Sequence, residues 1–352
     1  MRYHKDTGIG LFSADERLSE LEALGDPLLT LSQAIDFEFF RPPLEQALYL
    51  EGERPQGGRP PFDPVLMFKV LVLQRLYNLS DEAVEYQIKD RLSFMRFLGL
   101  DFASRIPDAK TVWLFRDQLQ QRGLVRVLFD EMNGQLEARR IIAHQGQIVD
   151  ASFVEAPRQR NSRAQNEAIK AGTVPDEWQE TPAKLCQKDV DARWAKKGEE
   201  THYGYKNHVL CDRRSKLLTD YSVTDAAVHD SAALEGLLHP GFADGQELYA
   251  DSAYRSAAIE ELLQNRGIRS RVHHKGCRNR PLSPRRQESN TVKSRTRARV
   301  EHVFAFMTQS MGGLTVRGRS LARTAAVIGL MNLTYNLCRI VQLGHQVSAV
   351  RG

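Results

Sequence analysis

Two stretches of the chain share one pattern: Gln147-Ile148-Val149-Asp150-Ala151-Ser152 and Glu247-Leu248-Tyr249-Ala250-Asp251-Ser252-Ala253-Tyr254. In each, a short apolar run of strand character ends in an aspartate followed by small residues. An aspartate at a strand end points into the crevice where open α/β sheets bind ligands, so the two can meet at one site. Each also fits a turn or a helix cap. Further strands are expected at 141–143, 203–210, 217–223 and 268–272, and helices at 230–238, 256–264, 293–311 and 321–343. Strands first, then strand and helix alternating, predict a mixed α/β domain with helices on the faces of its sheet.

Upstream the pattern is helical. Asp63-Pro64 reads as N-cap and first helical position before the apolar run from Val65 to Leu73. Ser80 caps a second helix, with Asp81 and Glu82 in its first turn and Val84 and Ile88 on one face, running out near Gly99. Asp108 starts a third, with Val112, Phe115 and Leu119 at helical spacing and Gly123 as its stop. The reading is an all-α domain over 1–135, suited equally to helix-turn-helix DNA binding or to dimerisation. It is followed by an α/β domain over 136–345. A polar stretch at about 156–200, with Pro157, Pro175 and Pro182, reads as an insertion in that second domain.

Of the 352 residues 41% are hydrophobic, which is enough to bury a core and excludes disorder throughout. The net charge is +5, yet residues 266–299 hold twelve Lys and Arg against the single acid Glu288, which leaves the remainder at −6. Such a local excess is expected where a polyanion is gripped, and it is also compatible with a solvated linker. Arg278, Arg280, Arg285, Arg286, Lys293, Arg295 and Arg297 are the candidate DNA contacts, with His273 and His274 extending the basic character. The apolar stretch 325–343 is interrupted by Asn332, Asn336 and Arg339, which share one helical face. An amphipathic helix and no membrane partner are therefore expected. The first six residues do not read as a signal peptide. The four cysteines lie far apart without a Cys-x-x-Cys pair, so reduced thiols in a cytoplasm are expected.

Glu301 is a third candidate carboxylate. Its helix carries the apolar stripe Val300, Phe304, Met307 and Met311, and Glu301 borders it, while an i,i+4 pair with Arg297 is the simpler use of the same residue. Three carboxylates at one crevice beside a basic segment make a site for hard divalent cations, Mg²⁺ by default with Mn²⁺ as alternative. Phosphodiester chemistry needs that arrangement, with Lys and Arg nearby holding phosphates. Lys206 and His208 share a strand face toward DNA or solvent, and His229 and Asp230 either assist the site or cap a helix. His273, His274 and Cys277 lack a fourth ligand and read as basic-loop residues.

The order of these segments resembles bacterial insertion-sequence transposases of the Asp-Asp-Glu type, most closely the insertion sequence 5 family. In the N-terminal part the similarity is carried by 58–69, Gly-Arg-Pro-Pro-Phe-Asp-Pro-Val-Leu-Met-Phe-Lys, by 73–79 and by 108–112. In the second domain it is carried by 148–152, 203–208, 223–230, 250–254 and Arg297-Ala298-Arg299-Val300-Glu301-His302-Val303-Phe304. The resemblance implies a ribonuclease H-like fold in which Asp150, Asp251 and Glu301 hold the metal. It also implies binding to terminal inverted repeats, metal-dependent strand cleavage, and attack of the freed 3′-hydroxyl on target DNA. Double-stranded DNA, a homodimer or larger synaptic assembly, and a bacterial cytoplasm with its nucleoid come with it. Where relatives carry Tyr-x2-Arg-x3-Glu-x6-Lys, Arg297 and Glu301 fit but Ser294 and Thr308 replace the Tyr and Lys, so Arg317 or Arg319 is expected to substitute. A transposase-derived DNA-binding protein without catalysis and a metal-dependent nuclease without strand transfer are the alternatives.

Overall fold

The computed structural model describes residues 13–48, 60–238, 245–276 and 281–344. Cys277, Arg278 and Arg280 lie outside the described residues. The chain forms two compact units, one within Met1–Arg75, Leu79–Gln118 and Ile340–Gly352, the other Leu76–Asn78 and Leu119–Arg339.

The first unit is helical: α1 (Ser13–Ala23), α2 (Pro27–Ala34), α3 (Arg41–Leu48), α4 (Pro64–Leu76), α5 (Asp81–Asp90), α6 (Leu92–Leu98) and α7 (Ala109–Gln121). Asp63 starts α4 as expected, accepting from the amides of Val65 and Leu66. Ser80 caps α5 through the Ala83 amide. The expected single helix from Ser80 to Gly99 is two, because Arg91 adopts an extended conformation; Gly99, left-handed at φ 73, closes α6. The core is aromatic. Phe40 and Phe68 have centroids 4.7 Å apart, Phe37 meets Phe97 edge-on at 5.5 Å, and the Lys69 ammonium donates to the Phe97 carbonyl over both Phe37 and Phe97.

The second unit is built on a six-stranded sheet: β1 (Gln147–Glu155), β2 (Arg193–Lys197), β3 (Glu200–Asp212), β4 (Leu218–Asp225), β5 (Glu247–Ala250) and β6 (Arg269–Val272). β3 runs antiparallel to β1, and its other edge pairs with β2 and β4; β5 and β6 continue from β1 in parallel. Around it lie α8 (Leu124–Ala138), α9 (Arg163–Lys170), α10 (Asp176–Gln179), α11 (Pro182–Leu185), α12 (Leu234–Leu237), α13 (Ala257–Asn265), α14 (Pro284–Gln309) and α15 (Leu321–Gln342). One face of the sheet buries Val149, Leu210, Leu248 and Ala250 under α12, α13 and Tyr254. The opposite face takes α14 and α15.

Several expectations change. The first domain, expected to run to residue 135, gives way earlier, since Leu119 onward, with α8, belongs to the sheet unit. Residues 141–143 form no strand, because the amides of Ile141 and Ile142 turn back to the Leu136 carbonyl beyond α8. β2 lies inside the stretch read as an insertion; as the edge strand Arg193-Trp194-Ala195-Lys196-Lys197 it has no apolar alternation to reveal it. α14 starts at Pro284 rather than 293, since its first turns are exposed and carry no apolar stripe.

The polar stripe of α15 is buried, not solvated. Asn332 and Asn207 exchange hydrogen bonds at 2.8 and 3.1 Å, and Asn336 accepts from the Leu218 amide and donates to its carbonyl. This helix is long and apolar enough to cross a membrane, but 72% of its most apolar stretch is buried inside the fold. Its Gly329 is a fixed point: an added methyl would fall on the Tyr221 hydroxyl and 2.7 Å from Val125 Cγ1.

Lys206 and His208 do not face DNA or solvent. Both are buried on the α12 side of the sheet, where Lys206 Nζ donates to the Val228 carbonyl (2.7 Å) and Asp230 Oδ1 (2.8 Å). His208 Nε2 bonds Thr224 Oγ1 at 2.8 Å, and burial depresses the imidazole pKa to about 4.

Two outcomes follow from this packing. Gly329→Ala should cost about 1–3 kcal/mol by overpacking, read as a lower urea midpoint at unchanged slope; an unshifted midpoint would mean α15 slides at no cost. A histidine kept neutral in the fold but titrating near 6.5 when unfolded leaves stability intact above that pH. Stability is then lost as pH falls from about 6.5 to 4, by at most about 3 kcal/mol. His208→Gln should flatten that acid limb in urea titrations at successive pH values.

Candidate active site

Asp150 and Asp251 are brought together by strand register. β1 and β5 pair Gln147 with Leu248 and Ile148 with Tyr249, and carrying that offset two residues further brings Asp150, which lies inside β1 rather than at its end as expected, level with Asp251 just after the carboxyl end of β5. That is the end at which parallel α/β sheets bind ligands. Asp251 also caps a short 3-10 turn, Ser252–Tyr254, by accepting from the Ala253 amide at 2.8 Å, so the cap reading and the site reading both hold. Asp150 Oδ1 accepts from the Ala151 amide at 2.9 Å.

Glu301 arrives on α14, which packs on β1 and β5 through Val300, Val303 and Met307; Phe304, expected in that stripe, is half-buried. Arg297 lies one turn before it. Its guanidinium donates to Asp150 Oδ2 at 2.7 Å and to Glu301 Oε1 at 3.2 Å. The i,i+4 pair expected as the simpler use of Glu301 is therefore real, and the same arginine links it to the strand carboxylates. Asp150 is 19% exposed and Glu301 62%, so an inner and an outer carboxylate share one cation.

Burial pushes the Asp150 carboxyl above its usual range. Arg297 and the Ala151 amide oppose this, Asp251 adds to it as a neighbouring negative charge, and Lys197 is close enough to oppose it. The donor set suits a hard cation: its atoms are carboxylate oxygens, and Asp150 and Glu301 already draw positive charge onto themselves through Arg297. Among the described residues no three acids, histidines or cysteines stand as a finished ligand group, since a guanidinium occupies the space between Asp150 and Glu301.

The remaining candidates separate into two groups. Arg285, Arg286 and Arg295 are exposed on α14. Lys293, by contrast, donates to the Val272 carbonyl, and Arg299 to that of Arg213. His229 makes no hydrogen bond to the three carboxylates; its Nδ1 accepts from the Ser231 amide and caps the 3-10 turn that follows β4. Arg317 and Arg319, the expected substitutes near Glu301, are engaged elsewhere, with Asn78 and with the Cys186 carbonyl. His273 and His274 belong to the exit of β6, where Asn290 bonds the His274 backbone. Sequence reading missed Tyr254 and Lys197, both close enough to act electrostatically on Asp150 or be acted on by it. Tyr254 stood in the quoted motif, but nothing in a linear pattern shows where its hydroxyl goes.

Two family models and one solved structure are similar to this chain. The family described as "Transposase DDE domain" matches residues 142–337, more than half of the chain. A second, "Transposase domain (DUF772)", matches residues 16–118. Among solved structures, a cryo-EM structure of the piggyBac transposase synaptic complex with hairpin DNA aligns at 13% identity and a TM-score of 0.44, covering 94% of this chain and 78% of that one. With the matched segment spanning Asp150, Asp251, Arg297 and Glu301, the chain belongs to the transposase DDE domain family.

Proposed function

We propose that this transposase acts on the terminal inverted repeats of its own insertion sequence, of the insertion sequence 5 type, cutting at the ends and joining them to target DNA. The observation that carries the reading is the Arg297 guanidinium bonded to both Asp150 and Glu301, with Asp251 close enough to Asp150 to raise its pKa. The strand order β4-β3-β1-β5-β6, antiparallel up to β1 and parallel beyond it, supports a ribonuclease H-like catalytic domain.

Asp150, Asp251 and Glu301 hold the divalent cation in this reading, Mg²⁺ or Mn²⁺. Bound there, it lowers the pKa of the attacking water or 3′-hydroxyl and stabilises the leaving oxygen. The inner position of Asp150 and Asp251 on the sheet fixes two carboxylates against the strain of their mutual repulsion. Glu301, exposed on α14, turns inward when it gives up Arg297. Arg297 then has a phosphate oxygen as its natural acceptor, because a guanidinium released from two carboxylates keeps its fork of donors. The exposed arginines Arg285, Arg286 and Arg295 on the same helix supply backbone contacts along the duplex. Two element ends require two active sites, so a dimer or larger assembly on double-stranded DNA in the bacterial cytoplasm completes the proposal.

Asp150→Ala, Asp251→Ala and Glu301→Ala should each take strand cleavage of an end-bearing duplex below detection while gel-shift affinity persists. Retained metal-dependent cleavage in any one variant removes that residue from the site. Replacing Arg285, Arg286 and Arg295 together by Gln should lower the slope of log affinity against log salt by up to about three. An unchanged slope would count against phosphate contact by this helix.

A further inference from the structure

Helix α14 is held to the sheet in two ways. Its buried residues, Val300, Val303 and Met307, all lie in its C-terminal half. Before them the helix is fastened by polar groups at i, i+3, i+4 and i+7, namely Asn290, Lys293, Ser294 and Arg297. Three of the four grip one short segment, the exit of β6. Lys293 Nζ donates to the Val272 carbonyl at 2.9 Å, and Asn290 accepts from the His274 amide at 2.8 Å and donates to its carbonyl at 3.0 Å. Between them Ser294 Oγ lies 3.4 Å from His273 Nε2. The fourth, Arg297, reaches Asp150.

His273 is fixed from the strand side as well. β5 and β6 pair Ala250 with Val272, and the His273 amide donates to the Ala250 carbonyl at 3.1 Å. Carrying that pairing one residue further brings His273 level with Asp251, while its ring meets α14 one turn before Arg297. Burial lowers the imidazole pKa, Arg297 and Lys293 lower it further, and Asp251 opposes them, so the ring lies among the charges of the site. Stability does not explain the residue. Its bond to Ser294 is long and exposed, and the backbone bonds from Asn290 and Lys293 do not depend on the side chain at 273. What the histidine adds is a second ring nitrogen, Nδ1, which has no hydrogen-bond partner among the described residues.

We propose that His273 contacts the DNA strand being cut: with the Ser294 hydroxyl donating to Nε2, Nδ1 keeps the ring proton and donates to a phosphate oxygen beside the scissile bond. Which ring nitrogen carries the proton is set by the bond the other one makes. A Lys or Arg level with Asp251 would set a full positive charge against the divalent cation, whereas an imidazole with one proton donates to phosphate and leaves the carboxylates to the ion. Arg297 and His273 then supply two donors to one strand. The inference deepens the proposed transposition and rests on it, since it names a further contact to the same substrate.

The test uses the full chain and an element-end duplex carrying one methylphosphonate, an uncharged phosphate analogue, at each position around the cleaved bond in turn. Single-turnover cleavage at limiting protein reports kcat/KM for each duplex. His273→Ala should slow cleavage of the ordinary duplex roughly ten- to hundredfold, as expected for one hydrogen bond to a charged acceptor. It should also lose the sensitivity that the wild type shows at one position beside the cleaved bond, because both changes remove the same bond. His273→Asn, whose amide nitrogen can take the place of Nδ1, should restore part of the rate and of that sensitivity. Mn²⁺ binding to the DNA-free protein, followed by paramagnetic resonance, should be equal in wild type and His273→Ala. An identical interference pattern in the two overturns the contact while leaving cleavage by the three carboxylates standing. Weaker Mn²⁺ binding in His273→Ala makes the residue part of the cation site and overturns it too. Should His273→Ala not fold, Ser294→Ala, a change at an exposed position, decides: it should weaken the same sensitivity, and an unchanged pattern sinks the proposal. If the wild type cleaves no end-bearing duplex, the proposed function fails and this contact falls with it.

Discussion

A carboxylate placed on the inner face of a sheet cannot stay charged without a partner, and much in this protein is arranged around meeting that need for Asp150. The residue is fixed by β1, which pairs along both edges, and Asp251, just after β5, adds a neighbouring negative charge. Arg297 supplies the compensating charge, and it does so from α14, the helix that also carries Glu301. One ion pair thus fixes the rotation of α14 over the sheet and the proximity of the third acid. The buried stripe of Val300, Val303 and Met307 sets the contact, and the charge sets the register of the contact.

The opposite constraint, unmatched backbone and amide groups, governs α15. A helix apolar enough to resemble a span carries two asparagines that face inward and complete the hydrogen bonding of β3 and of the start of β4. Buried amide networks of this kind allow one alignment of helix on sheet, whereas apolar contact alone tolerates sliding. Gly329 reinforces the same alignment by requiring close approach to Tyr221 and Val125. Both long helices are therefore located by polar or steric detail laid over an apolar contact.

Periodicity gave reliable access to elements whose pattern is set by burial. Asp63, Ser80 and Gly99 behave as the helix signals they are, and β3, β4, β6, α13 and α15 fall within a few residues of their expected ranges. Elements at the surface were harder. β2 is a polar edge strand and the first turns of α14 are solvated, so neither is held by a stripe that a linear reading detects. Lys206 failed for a different reason: alternation assigns a residue to a face of a strand, but not the identity of what covers that face. Here the cover is the turn bearing Asp230, which converts an expected DNA contact into a buried ion pair.

The three acids and Arg297 stood out in the sequence because each sits in a local pattern with its own signature, an apolar run before an aspartate or the border of a helix stripe, although β1 runs on past Asp150 to Glu155. Their order along the chain was enough to suggest the family. What a linear pattern does not contain is distance across elements. The offset between β1 and β5 that brings Asp150 level with Asp251 and the guanidinium lying between two carboxylates are decided by how strands pair and how α14 seats on the sheet. Local sequence chooses the elements through short-range sterics and burial. Which charges then meet is settled only when the packed sheet removes water from between them.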